Sequence, residues 1–150
     1  MLKPLSGLCM KTAIVLFNLG GPDCLQNVKP FLLNLFRDPA ILGVPFFLRE
    51  GLARLIAGKR ETEAQKIYTA IGGRSPLLEN TIAQGKALED LLNAGGTADL
   101  YKTFIAMRYW HPLSETVAQE LAAWGPERIL YLPLYPQFST TTTASSFREM

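Results

Sequence analysis

Residues 12–18 read TAIVLFN and run straight into Leu19-Gly20-Gly21-Pro22. The stretch is apolar without interruption and rich in β-branched and aromatic side chains, where a strand with one wet face would alternate. It predicts a strand buried on both faces, and such strands belong to parallel sheets covered by helices. The glycine pair and proline that follow predict a tight turn at its end.

Two further segments read as strands, 101–109 (YKTFIAMRY) and 128–135 (RILYLPLY). Between the strands lie helical patterns. Val28, Phe31, Leu32 and Leu35 recur at helical spacing, with Asn27 as the expected cap, Pro30 in the first turn and Asp38-Pro39 as the stop. A second helix is predicted over 46–57, with Leu48, Leu52, Leu55 and Ile56 on one side as ordinary core. A third carries Ala64, Ile67, Tyr68 and Ile71 and ends at Gly72-Gly73. Ser75-Pro76 opens a helix through Leu78, Ile82, Leu88 and Leu92, closed by Gly95-Gly96. Ser114 is the expected cap of a helix bearing Val117, Leu121 and Trp124. A last helix follows the hydroxyl-rich turn from Ser139.

Strands alternating with helices predict an α/β domain with a parallel, doubly wound sheet. The helical material between the first two strands exceeds what one crossover needs. It is either an insertion with its own task or conceals another strand.

The composition fits this class. Of 150 residues, 48% are apolar and 19% charged, which suits a globular fold with a real core. A net charge of +2, with no basic run interleaved by aromatics, gives no reason to expect nucleic acid. Cys9 and Cys24 have no second thiol cluster to pair with, so reduced thiols in a cytoplasmic protein are expected. Residues 1–11 read as a flexible tail without the apolar run of a signal peptide. The longest such run, 41–48, is broken by Pro45 and is far shorter than the ~20 residues of a membrane span.

Ligands of open α/β sheets sit where strands end. At Leu19-Gly20-Gly21-Pro22 a plain tight turn and a turn approached by a ligand are equally open, and neither GxGxxG nor the P-loop lysine is present. Gly72-Gly73-Arg74-Ser75-Pro76 combines a cation and a hydroxyl at a helix start. That suits a carboxylate or phosphate, although from the residues alone simple capping by Ser75 is the better-favoured reading. Ser139 and 140–146 hold more hydroxyls than any cap requires and predict a polar ligand wall. His111, the single histidine, has no ligand partners in its motif and is read as structural. Residue chemistry alone therefore gives an α/β domain that binds a small anionic ligand at its strand ends.

Taken together, the turns say more. Asn18-Leu19-Gly20-Gly21-Pro22, Phe31-Leu32-Leu33-Asn34-Leu35-Phe36, Tyr68 with Ile71-Gly72-Gly73-Arg74-Ser75-Pro76, Arg108-Tyr109-Trp110-His111-Pro112 and Leu134-Tyr135-Pro136-Gln137-Phe138-Ser139 follow one another as in ferrochelatases. From about Lys11 onward the chain resembles the N-terminal half of that family. The resemblance implies two Rossmann-like chelatase domains with a porphyrin between them. Residues 12–150 would be the N-terminal one, 41–57 a helical lip able to rest on a membrane surface, and the C-terminal catalytic domain would be absent from this chain. The implied activity is insertion of Fe2+ into protoporphyrin IX, the last step of haem biosynthesis.

Carried over by position, Leu19 resembles the residue facing the porphyrin centre. Arg60, Tyr68 and Ser75 resemble holders of the propionates, which as carboxylates want such donors. Arg108 resembles a pocket-wall arginine, and Tyr135 and Ser139 line the same cavity. Thr140 stands where some members carry a cluster-ligating cysteine, so the resemblance implies no iron–sulfur cluster held in that way. It places the base that strips the pyrrole protons in the second domain and gives no catalytic residue here, so this segment alone is expected to be inactive. Related chelatases of coproporphyrin or of cobalt, and a non-catalytic porphyrin carrier, are the alternatives.

Overall fold

Strand β1, Lys11–Asn18, occupies the centre of a three-stranded parallel sheet, between β2 (Leu100–Met107) and β3 (Arg128–Pro133). The computed structural model describes residues 9–96 and 98–149. The expected tail thus lies outside the described residues except at Cys9 and Met10, and its last position, Lys11, already belongs to β1. Register runs without a bulge: Ile14 faces Thr103 on one side and Leu130 on the other. Residues 12–17 of β1 are all buried, as an unbroken apolar run in the middle of a covered sheet demands.

The parallel order needs crossovers, and the helices supply them. Between β1 and β2 lie a 3-10 turn at Leu25–Asn27, then α1 (Val28–Arg37), α2 (Phe46–Ala70) and α3 (Leu77–Asn93). Among the described residues no further strand is hidden there, so the excess is helical. After β2 come α4 (Ser114–Trp124), β3 and α5 (Thr143–Glu149). One core cluster lies between β1, β2 and α4, with Phe17, Phe104, Val117 and Leu121. A second joins α1 to α2 and the turn after β2, through Phe31, Phe36, Ala53, Ala57 and Tyr109.

Several expectations need correction. The helices expected over 46–57 and around 64–71 are one continuous α2, because Gly58 costs only about 1 kcal/mol in a helix interior that is otherwise held by α1. Its buried positions are Ala53 and Ala57, whereas Leu48, Leu55, Ile67 and Ile71 are exposed. Close approach of α1 and α2 selects small residues at the contact. Asn27 makes no cap bond to α1 and instead donates from Nδ2 to Asp23 Oδ1 (2.7 Å). Ser114 is the first helical residue and is buried, while Leu113 precedes it in extended conformation. Ser75, by contrast, does cap: its Oγ accepts from Leu77 N–H (3.3 Å). No helix among the described residues is long and apolar enough to cross a membrane.

The alanine contact yields a stability prediction. Ala57→Leu should overpack the α1–α2 seam and cost about 2 kcal/mol, read as a lower denaturation midpoint at unchanged slope.

Candidate functional site

The carboxyl ends of β1 and β2 are zipped together past their last paired residues. Arg108 N–H donates to Asn18 O (2.9 Å) and Tyr109 N–H to Leu19 O (3.0 Å). Asn18 holds the turn from both ends of its amide, accepting from Leu19 N–H (2.9 Å) and donating to Thr81 Oγ1 (3.1 Å) on α3. Gly20 then adopts φ of 84°, where a side chain would press on Trp110 N at 3.0 Å. Glycine is required there.

Gly21 decides what gathers at this turn. A Cβ built on it would overlap the Ser75 side chain and lie 3.9 Å from the Tyr68 hydroxyl. Two hydroxyls from different elements therefore meet one stretch of bare backbone. Tyr68 is brought there by the end of α2, where Gly73 N–H returns to Tyr68 O (2.8 Å) and Gly72 and Gly73 both take positive φ. Ser75 is pinned by its own N–H, which donates to Pro22 O (2.8 Å). Burial raises the pKa of Tyr68, which keeps it a donor. Arg60 sits on α2 two turns before Tyr68, roughly 12 Å along the axis, beside a recess of about 200 Å³ lined with Leu32 and Ile67. Leu19 is half-buried and packs against the α1–α2 core cluster.

Arg108 belongs to a second group, organised by a residue that sequence reading treated only as a helix stop, while the Tyr135 and Ser139 hydroxyls bond elsewhere, to Ser146 and Thr141. Asp38 is buried. Its Oδ2 accepts from Tyr109 Oη (2.8 Å), Arg108 Nη2 (2.9 Å) and the Ser145 hydroxyl, while Oδ1 accepts from Ala40 N–H (2.7 Å). Arg108 Nε also donates to Ser145 Oγ (2.8 Å), and its guanidinium lies 4.9 Å from the Tyr109 ring centre. Burial on its own would push the Asp38 pKa up. The bonds from Ser145, Ala40 and Tyr109, with the Arg108 charge, outweigh it and hold the carboxyl below its ordinary value. Desolvation, reinforced by the bond to Asp38, raises Tyr109 strongly.

The hydroxyl surplus at 139–146 is partly spent on this network. Ser145 serves Asp38, Ser146 Oγ pairs with Tyr135 Oη at 2.8 Å, and Ser139 Oγ pairs with Thr141 Oγ1 at 2.9 Å. The reading of the whole row as ligand wall is corrected for Thr143, Ser145 and Ser146, which are buried. An acidic residue in an apolar stretch, together with hydroxyls beyond any capping need, was the available signal for Asp38. His111, read as structural, is exposed, and with Arg74 and Ser75 it borders a cavity of about 440 Å³. Its ring meets Trp110 edge-on at 5.3 Å.

These features define an α/β domain whose parallel sheet ends in a wall of hydroxyls and guanidinium groups. Residues 11–150 match the ferrochelatase family model, and the chain belongs to the ferrochelatase family. Curated relatives named ferrochelatase include those of Pelagibacter ubique (51% identical, covering 93% of this chain), Phenylobacterium zucineum (55%, 93%) and Caulobacter vibrioides (54%, 92%). The chain spans only 41%, 41% and 40% of their respective lengths.

Two predictions follow from the geometry. Gly21→Ala should displace Ser75 and cost about 1–3 kcal/mol, seen as a lower melting temperature with loss of the Ser75–Pro22 amide's protection from exchange. Asp38→Asn should cost about 3 kcal/mol, because it removes the negative charge buried against the Arg108 guanidinium. Since the folded pKa of Asp38 is depressed, its contribution is complete above the ordinary aspartate value and drains away as pH falls through the folded one. The stability gap between parent and variant, from denaturant titrations at about pH 7 and about pH 3, should therefore shrink in acid.

Proposed function

We propose that the protein inserts ferrous iron, as substrate, into protoporphyrin, and that residues 11–150 supply one wall of the porphyrin pocket. The observation that carries this reading is the pair of hydroxyls, Tyr68 and Ser75, held against Gly21 at the end of the central strand. A propionate is a carboxylate, and it is well held by hydroxyl donors with a guanidinium within reach. Arg60, roughly 12 Å along the same helix from Tyr68, would offer its charge to a second propionate. Leu19, beside the turn, offers an apolar contact for the macrocycle, and Arg108 after β2, with Tyr135 and Ser139 after β3, would complete the wall. No iron–sulfur cluster is invoked, since Thr140 carries no thiolate.

The start of α2 fits the lip of such a pocket. Phe46 and Phe47 are 84% and 79% exposed at its first turn, an arrangement suited to an apolar macrocycle or to peripheral contact with a membrane from the cytoplasmic side. Removal of the pyrrole protons needs a base. The tyrosines of this wall are poor candidates, because their raised pKa values keep them protonated. We place the base in the portion of the family that residues 11–150 do not span, so that residues 1–150 alone bind porphyrin weakly and insert no metal.

The test is absorbance-monitored insertion of Fe2+ or Zn2+ into protoporphyrin by the full-length protein and by residues 1–150. Turnover by the long form only is expected. In that form Ser75→Ala and Arg60→Leu should each raise KM roughly tenfold with little change in kcat, the pattern of lost ground-state binding. Turnover by the short form would overturn the placement of the base and make His111 the group to examine. Porphyrin binding without turnover by either form would indicate a carrier.

A further inference from the structure

The two edges of the sheet are finished differently. Leu100 N–H donates to Met10 O (3.0 Å) and Arg108 N–H to Asn18 O, which puts the even-numbered amides of β2 on the β1 side. The odd-numbered groups therefore face outward, away from β1. Tyr101 N–H donates to Asn93 Oδ1 (3.0 Å), and Asn93 Nδ2 donates back to Tyr101 O (2.9 Å). One side-chain amide thus makes both bonds that a residue of a neighbouring strand would make. Two positions on, Thr103 N–H donates to Glu89 Oε2 (2.7 Å), as does the Thr103 hydroxyl (3.0 Å). Near the end of the strand, Met107 N–H donates to Pro112 O (2.7 Å).

The helix that supplies these groups is fitted for the purpose. A Cβ on Gly85 of α3 would stand 2.9 Å from Leu16 Cδ1 and 3.2 Å from Thr103 Oγ1. The missing side chain lets α3 lie close on β1 and β2. Glu89 and Asn93 follow Gly85 at one and two turns along the same face, so the close seat carries them to the edge. At β3 nothing comparable occurs. Leu134 N–H donates to Phe17 O, which puts the even-numbered groups of β3 on the β1 side; among the described residues no side chain or turn bonds the outward groups of Ile129 and Tyr131, and Ile129, Leu130, Tyr131 and Leu132 are all 40–45% exposed.

An unpaired strand edge is a template for any other strand. We propose that Glu89 and Asn93 form a strand surrogate that closes the β2 edge against strand addition, so that this sheet can extend only at β3. An incoming strand at β2 would have to displace a carboxylate from an N–H and a carboxamide from a two-bond pairing. At β3 it would displace only water.

The test uses the Glu89→Ala, Asn93→Ala double variant of the chain and the same variant carrying Thr103→Pro. Amide exchange at Tyr101 and Thr103 should rise roughly tenfold or more in the double variant, while Lys102 and Phe104, bonded to β1, keep their protection. The double variant should sediment as a larger, concentration-dependent species than the parent. Thr103→Pro, which removes an outward N–H that an edge strand can spare, should return it to the parent's state. Unchanged exchange at Tyr101 and Thr103 would overturn the proposal. So would an unchanged association state, or an enlarged one that Thr103→Pro does not reverse. If Lys102 and Phe104 also lose protection in the double variant, the same readings are taken on Asn93→Ala alone.

Discussion

The carboxylate of Asp38 is the constraint around which much of this domain is arranged. An ionised carboxylate taken out of water is tolerated only when its lone pairs are filled and an opposite charge is close. Here the donors come from residues 70, 71 and 107 positions away, Arg108, Tyr109 and Ser145. Satisfying one side chain therefore fixes the end of α1, the exit of β2 and the start of α5 relative to one another. Arg108 is also tied through its backbone to the end of β1, so its guanidinium and the central strand share one frame.

The turn after β1 works by a different constraint, absence of bulk. Gly20 frees the backbone to double back under Trp110, and Gly21 leaves room for Ser75 to touch the chain directly. The same device recurs at Gly85, where a missing Cβ lets α3 settle onto the sheet. Close approach and buried charge thus divide the structure. Glycine contacts set the positions of Tyr68 and Ser75, and the Asp38 network sets those of Arg108 and the segment that follows β3.

Much of this was legible in the sequence, for physical reasons. Strand β1 was visible because a strand covered on both faces writes itself as an unbroken apolar run. The breaks at Gly72-Gly73 and Gly95-Gly96 were visible because helix ends want positive φ. Helix α2 was not seen whole, since its middle is polar on nearly every side and its core contact is made by alanines, which give no periodic signal. Asn27 and Ser114 show the weakness of reading caps from residue type: each has the right chemistry but spends it elsewhere. The family's turn motifs pointed to Tyr68 and Ser75, and these do meet at one turn. They gave no hint of Asp38, whose partners lie 70 or more residues away; the surplus of hydroxyls, with an acidic residue in an apolar stretch, was the one signal the sequence held.

The direction of the pKa shifts gives the wall its chemical character. Tyr68, Tyr109 and Tyr135 are all raised, each chiefly by burial, so all three remain protonated across the neutral range. Asp38 is shifted the other way, but it is sealed beneath Arg108 and Ser145 and fully occupied by donors. A surface built like this donates hydrogen bonds and presents positive charge, which is what a carboxylate-bearing ligand needs. None of these four groups is free to accept a proton from such a ligand, the tyrosines because they stay protonated and Asp38 because its lone pairs are filled. On the proposed reading this division is useful. Donors that hold a carboxylate do so only while they keep their protons, so binding by these hydroxyls and proton removal are better served by different residues.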